Sequence, residues 1–129
     1  MPDLPAKKAR PVWFNLSPLN LPLPGLVSIF HRLSGLLLFV GLVWLLYLLE
    51  MSLSSEAGFS HFKEYVAHPL AKLALLGYLW AYLHHFCAGI RYLFLDIHKG
   101  IDLAAARKTS YAVFAVSLGL TAILGARLW

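Results

Sequence analysis

Residues 26–51 read LVSIFHRLSGLLLFVGLVWLLYLLEM. After Arg32 the run carries no charge until Glu50. A helix needs about 20 apolar residues to cross the hydrocarbon core of a bilayer. The stretch therefore predicts a membrane span from Leu26 to Met51, with Pro22, Pro24 and Gly25 setting its start. Its first turns nevertheless hold Ser28, His31, Arg32 and Ser34. Groups that hydrogen-bond or carry charge are costly in lipid, so these four require a reason.

The rest of the chain has the same character. Of 129 residues 60% are hydrophobic and 13% charged, and mean hydropathy is +0.70. A soluble domain of this size would need more polar surface. Further spans are predicted over about Leu70 to Leu95 and Ser110 to Trp129. The connections are short: SLSSEAGFSHFKEYVAHP at 52–69 and DIHKGIDLAAARK at 96–108. The expected fold is all-α, one membrane domain over 1–129, with three helices in an up-down-up bundle and an N-terminal arm over 1–25.

Net charge is +5. Lys7, Lys8, Arg10, Lys99, Arg107 and Lys108 fall on one side of such a bundle. Basic residues favour the cytoplasmic side, which predicts a cytoplasmic N-terminus and a periplasmic C-terminus. This pattern makes a nucleic-acid partner unnecessary. The single cysteine, Cys87, excludes a disulfide framework and a multi-cysteine metal site. Pro11, Pro18, Pro22 and Pro24, with acidic Asp3, do not fit a cleaved signal or transit peptide.

The second span repeats the puzzle of the first, because His84 and His85 lie inside it. An ionisable residue within a span is a functional candidate, and imidazole is a common iron ligand. The plainer reading is a histidine that hydrogen-bonds a neighbouring helix. Adjacent helical residues point about 100° apart, so the two cannot face one partner squarely. Ala74, Gly77, Ala81, Ala88 and Gly89 form a small-residue stripe nearer His85, while His84 aligns with Arg91. Spacing alone leaves both open. His85 lies six residues before Arg91, about 9 Å along the helix. In an antiparallel first span this depth matches Ser28, His31 and Arg32, and Ser28, Arg32 and Gly35 share a face.

The chain resembles the cytochrome b membrane-anchor subunits of succinate dehydrogenase, the larger of the two anchors in the bacterial enzyme. Arg10–Val12 (RPV) followed by SIFHRLS at 28–34 matches that family's S-x-x-H-R-x-[ST] signature. HFCAGIRYLFLD at 85–96 matches its H-x-x-x-G-x-R pattern followed by an aspartate. Tyr92 stands where histidine or phenylalanine is usual, Leu95 where an aromatic or methionine is usual, and His98 where a small residue is usual.

The resemblance implies His85 as an axial ligand to the iron of haem b, with His31 and Arg32 on the haem propionate side. It implies Ser28 and Arg32 at the ubiquinone site, and Asp96 as an acidic position of less defined role. It gives His84 no role. The chain lacks a flavin fingerprint and a cysteine cluster, so it has no succinate-oxidising site of its own. FAD and iron–sulfur clusters are expected on a flavoprotein and an iron–sulfur subunit. A smaller anchor subunit is expected to supply the second haem ligand. The implied place is the bacterial inner membrane, within the tricarboxylic acid cycle and electron transport. Two alternatives stand beside this: the anchor of a quinol:fumarate reductase, and a purely structural anchor without a working redox site.

Overall fold

Among the described residues, 21–129, this computed structural model contains four helices. They are α1 (Leu23–Ser54), α2 (Glu56–Ala67), α3 (Pro69–Asp96) and α4 (Leu103–Leu128). Residues 1–20 lie outside the described residues, and with them most of the expected arm, the Arg10–Val12 motif, Lys7 and Lys8. The fold is all-α, and α1, α3 and α4 are each long and apolar enough to cross a membrane. At 1.5 Å per residue they extend about 48, 42 and 39 Å, beyond a hydrocarbon core of about 30 Å.

Local chemistry sets the helix ends. The backbone at Pro22 is extended, and its carbonyl accepts from Gly25 N at 2.8 Å and Leu26 N at 3.2 Å. Pro24 is tolerated in this first turn because its missing N–H would have no partner there. The segment read as a plain connection contains α2. Ser55 Oγ accepts from Gly58 N at 3.0 Å, and Glu56 lies at the positive end of the helix. Phe59, Phe62 and Val66 recur at helical spacing, but twelve residues are too few to register as a span. His68 caps α3, its Nδ1 accepting from Leu70 N at 3.3 Å. His98 (φ 59°) and Gly100 (φ 74°) reverse the chain between α3 and α4. Asp102 Oδ2 then accepts from Ala105 N at 2.9 Å, so α4 starts before the apolar run that begins at Ser110.

The long helices pack antiparallel. Along α1 and α3, His31 meets His85, and Tyr78 Oη donates to Leu38 O at 2.8 Å. Along α3 and α4, Arg91 meets Thr109 and Leu76 meets Gly125. Small residues permit the closest approaches. A Cβ at Gly41 would run into the Tyr78 ring. The burial pattern is inverted relative to a soluble protein. Phe39, Val43 and Leu53 are about three-quarters exposed, whereas Ser34, His84, Arg91, Ser110, Ser117 and Thr121 are buried. Hydrocarbon can cover the former; the latter need internal partners. Ser110, Ser117 and Thr121 find them by donating to carbonyls of their own helix.

Candidate haem and quinone site

The site begins with Gly35. A Cβ there would stand 3.0 Å from His85 Cε1, so the imidazole packs this closely on α1 where residue 35 has no side chain. His85 Nδ1 lies 3.0 Å from the carbonyl oxygen of His31 and 3.2 Å from Ser34 Oγ. Ser34 Oγ donates to the same carbonyl at 2.9 Å. A carbonyl only accepts, so Nδ1 carries the hydrogen, shared between the carbonyl and the hydroxyl. In the neutral ring this leaves the lone pair on Nε2. Nε2 makes no hydrogen bond among the described residues.

The His31 ring stacks on that of His85, with centroids 4.1 Å apart and planes inclined by 8°. Tyr92 tilts against His31 at 5.0 Å, and its buried hydroxyl has no hydrogen-bond partner. Gly89 faces His31 on the other helix, and a Cβ there would make an ordinary contact, 3.9 Å from His31 Nε2. His31 is thus also a packing partner of the His85 ring.

His84 occupies different surroundings. It is fully buried, with ring centroids of Phe30, Trp80 and Phe114 at 5.9, 5.4 and 5.0 Å. Neither of its nitrogens has a hydrogen-bond partner, and neither has Trp80 Nε1. Helical periodicity left the two histidines open; their neighbours now distinguish a held ring from a sealed one.

Ser28 is half-buried and Arg32 exposed, one turn apart on α1. Neither makes a hydrogen bond among the described residues. Asp96, the last residue of α3, is exposed and forms no ion pair among them. A cavity of about 740 Å³ opens between α1 and α3. Ser34 and Phe30 line one end, and Trp44 and Tyr65 line the other, where Trp44 Nε1 donates to Tyr65 Oη at 3.3 Å. Ser28, Arg32 and His85 are not among its lining residues. Ser34, one of the four polar residues of the 28–34 cluster, meets His85 although no role was assigned to it above. The available signal was its place three residues after His31 and one before Gly35.

The family model for the succinate dehydrogenase/fumarate reductase transmembrane subunit matches residues 6–124. The chain is similar to the succinate dehydrogenase cytochrome b556 subunit of Coxiella burnetii, at 34% identity over 121 residues, 93% of this chain and 97% of that one. It is 32% identical over 114 residues to the cytochrome b556 subunit of Paracoccus denitrificans, 88% of each chain. With that of Rickettsia felis it shares 30% over 115 residues, 89% of this chain and 90% of the other.

Proposed function

The chain belongs to the succinate dehydrogenase/fumarate reductase transmembrane subunit family, and on that premise we propose that it anchors a succinate:ubiquinone oxidoreductase, helps hold haem b and forms part of the ubiquinone-reduction site. The observation that carries this reading is the hydrogen bond from His85 Nδ1–H to the His31 carbonyl. An iron-ligating imidazole characteristically gives its other N–H to a carbonyl or carboxylate, which fixes the tautomer and ring plane. His85 is held in that way by the His31 carbonyl. His85 would hold a haem through Nε2, and a haem bound there would supply one-electron transfer.

His31 and Arg32 then serve the propionate edge, where a guanidinium suits a carboxylate. Reducing ubiquinone takes two electrons and two protons. Ser28 donates a hydrogen bond to a quinone carbonyl oxygen, and Arg32 stabilises negative charge as it develops there. Asp96 lies at the same end of the bundle and is assigned a weaker, acidic role. Succinate oxidation belongs to a flavoprotein subunit carrying FAD, and electron relay to an iron–sulfur subunit. A smaller anchor subunit would supply a further histidine to the same haem. The names of the relatives favour succinate dehydrogenase over fumarate reductase. A preoriented imidazole favours a working redox site over a bare anchor.

The test is the reduced-minus-oxidised spectrum of the purified complex. A low-spin b-type spectrum is expected, and a complex without haem would overturn the reading. The protein sits in the bacterial inner membrane with its N-terminus cytoplasmic and C-terminus periplasmic. A reporter active only in the periplasm should work when fused after Trp129 and be silent between Lys99 and Lys108. The reverse pattern would move the quinone site to the other side of the membrane.

A further inference from the structure

Arg91 has no part in the chemistry above, and it faces α4 rather than α1. It is 7% exposed. Its Nε donates to Thr109 Oγ1 at 3.0 Å, and Cζ lies 5.6 Å from the centre of the Tyr92 ring. A guanidinium has five N–H donors and no acceptor. Thr109 satisfies one of them, and no carboxylate among the described residues pairs with the charge. Asp102, near this end, is already committed to the cap of α4. A buried guanidinium without a counter-charge is expensive, most of all beside lipid.

Two cavities meet at this side chain. One, about 210 Å³, lies under the α3–α4 turn and is lined by Arg91, Lys99, Gly100 and Thr109. The other, about 240 Å³, is an apolar groove between Cys87 and Ile90 on α3 and Ala112 and Val116 on α4. Arg91 and Thr109 line both. The groove runs from Thr109 to Val116, about 10 Å along the helix away from the turn.

We propose that this junction binds one phospholipid, with its phosphodiester between Arg91 and Lys99 and an acyl chain in the groove towards Val116. A planar guanidinium pairs with phosphate oxygens, and basic pockets between membrane helices accept anionic head groups. The cationic cavity alone would suit any small anion. Its adjacency to an apolar groove, with Arg91 and Thr109 lining both, selects an anion that carries a hydrocarbon chain. The site lies on the opposite face of α3 from His85 and does not depend on the haem or quinone reading.

The experiment is native mass spectrometry of the whole purified complex, delipidated and then titrated with phosphatidylglycerol, with inorganic phosphate as a parallel probe. Wild type should retain one equivalent of phosphatidylglycerol at this site. Arg91→Gln with Lys99→Gln should bind it about tenfold more weakly or worse. Ala112→Phe, at an exposed position, keeps both cations and fills the groove; it should lose the lipid to a similar degree. Ala112→Phe also carries the test if the Arg91 variant does not assemble. Wild-type lipid binding by Ala112→Phe would overturn the proposal, leaving a free-anion site if phosphate still binds. Failure of wild type to retain the lipid would overturn it as well, as expected if a partner subunit covers this face.

Discussion

On the side of α3 that meets Gly35, His85 gives its Nδ1–H to a carbonyl and leaves Nε2 uncommitted; one residue earlier, His84 is sealed among Phe30, Trp80 and Phe114 with neither nitrogen bonded. The two side chains have the same chemistry and nearly the same depth. What differs is the second partner. An imidazole becomes a defined ligand when one nitrogen is held and the other is free, because tautomer and ring plane are then fixed together. An imidazole that is only buried leaves polar atoms unsatisfied, at about 1–3 kcal/mol each. Within a span, polarity therefore marks a candidate, and the hydrogen bond to the opposite nitrogen marks a site.

The largest expected effect follows from this contrast. His85→Leu should remove haem b from the assembled complex, seen as loss of the reduced low-spin spectrum. His84→Leu should keep it. That variant also removes two unsatisfied nitrogens from an apolar cage, so the complex should melt at the same temperature or higher. A haem-free His84→Leu beside a haem-replete His85→Leu would invert the assignment.

Ser28→Ala comes next. It removes one donor from the proposed quinone site and little volume. Succinate-to-quinone turnover should fall by roughly two to three orders of magnitude. Succinate oxidation with an artificial dye should persist, because the proposed function places that step on another subunit. Haem content serves as the assembly control. Full quinone turnover in an assembled Ser28→Ala complex would return Ser28 to the role of a serine in the first turns of a helix.

The three spans were legible because bilayer thickness imposes a length scale that apolar runs reveal directly. α2 was not, since a twelve-residue amphipathic helix falls below that scale and announces itself only through Ser55, Glu56 and a three-residue apolar pattern. The early start of α4 was hidden for a related reason: Asp102 caps a helix whose first turns lie outside its apolar run. The polar cluster at 28–34 and the histidine pair were visible as anomalies. Their pairing was not, because which carbonyl meets which nitrogen depends on the rotation of α1 against α3. Gly35 sets that contact, and only the packed helices bring it against His85 Cε1.

Gly35 and Ser34 grade how firmly the ring must be held. A methyl group at residue 35 meets Cε1 at 3.0 Å and must push the imidazole or the helix aside. Such overpacking costs about 1–3 kcal/mol, so Gly35→Ala should weaken haem retention and broaden its spectrum. Ser34→Ala should do less. The hydroxyl shares Nδ1–H with the His31 carbonyl, which lies closer, at 3.0 Å against 3.2 Å. Its removal leaves that carbonyl in place, so the tautomer survives and no acceptor is orphaned. Loss of an outer-shell partner typically costs 10–100-fold in metal affinity, and the remaining carbonyl places Ser34→Ala near the lower end, at about tenfold. The measurement is haem transfer from the variant complex to an excess of a haem-free acceptor protein. Loss as complete as in His85→Leu would mean that the carbonyl alone cannot orient the ring. Unchanged retention would make Ser34 a packing residue and leave the His31 carbonyl as the sole device that separates His85 from His84.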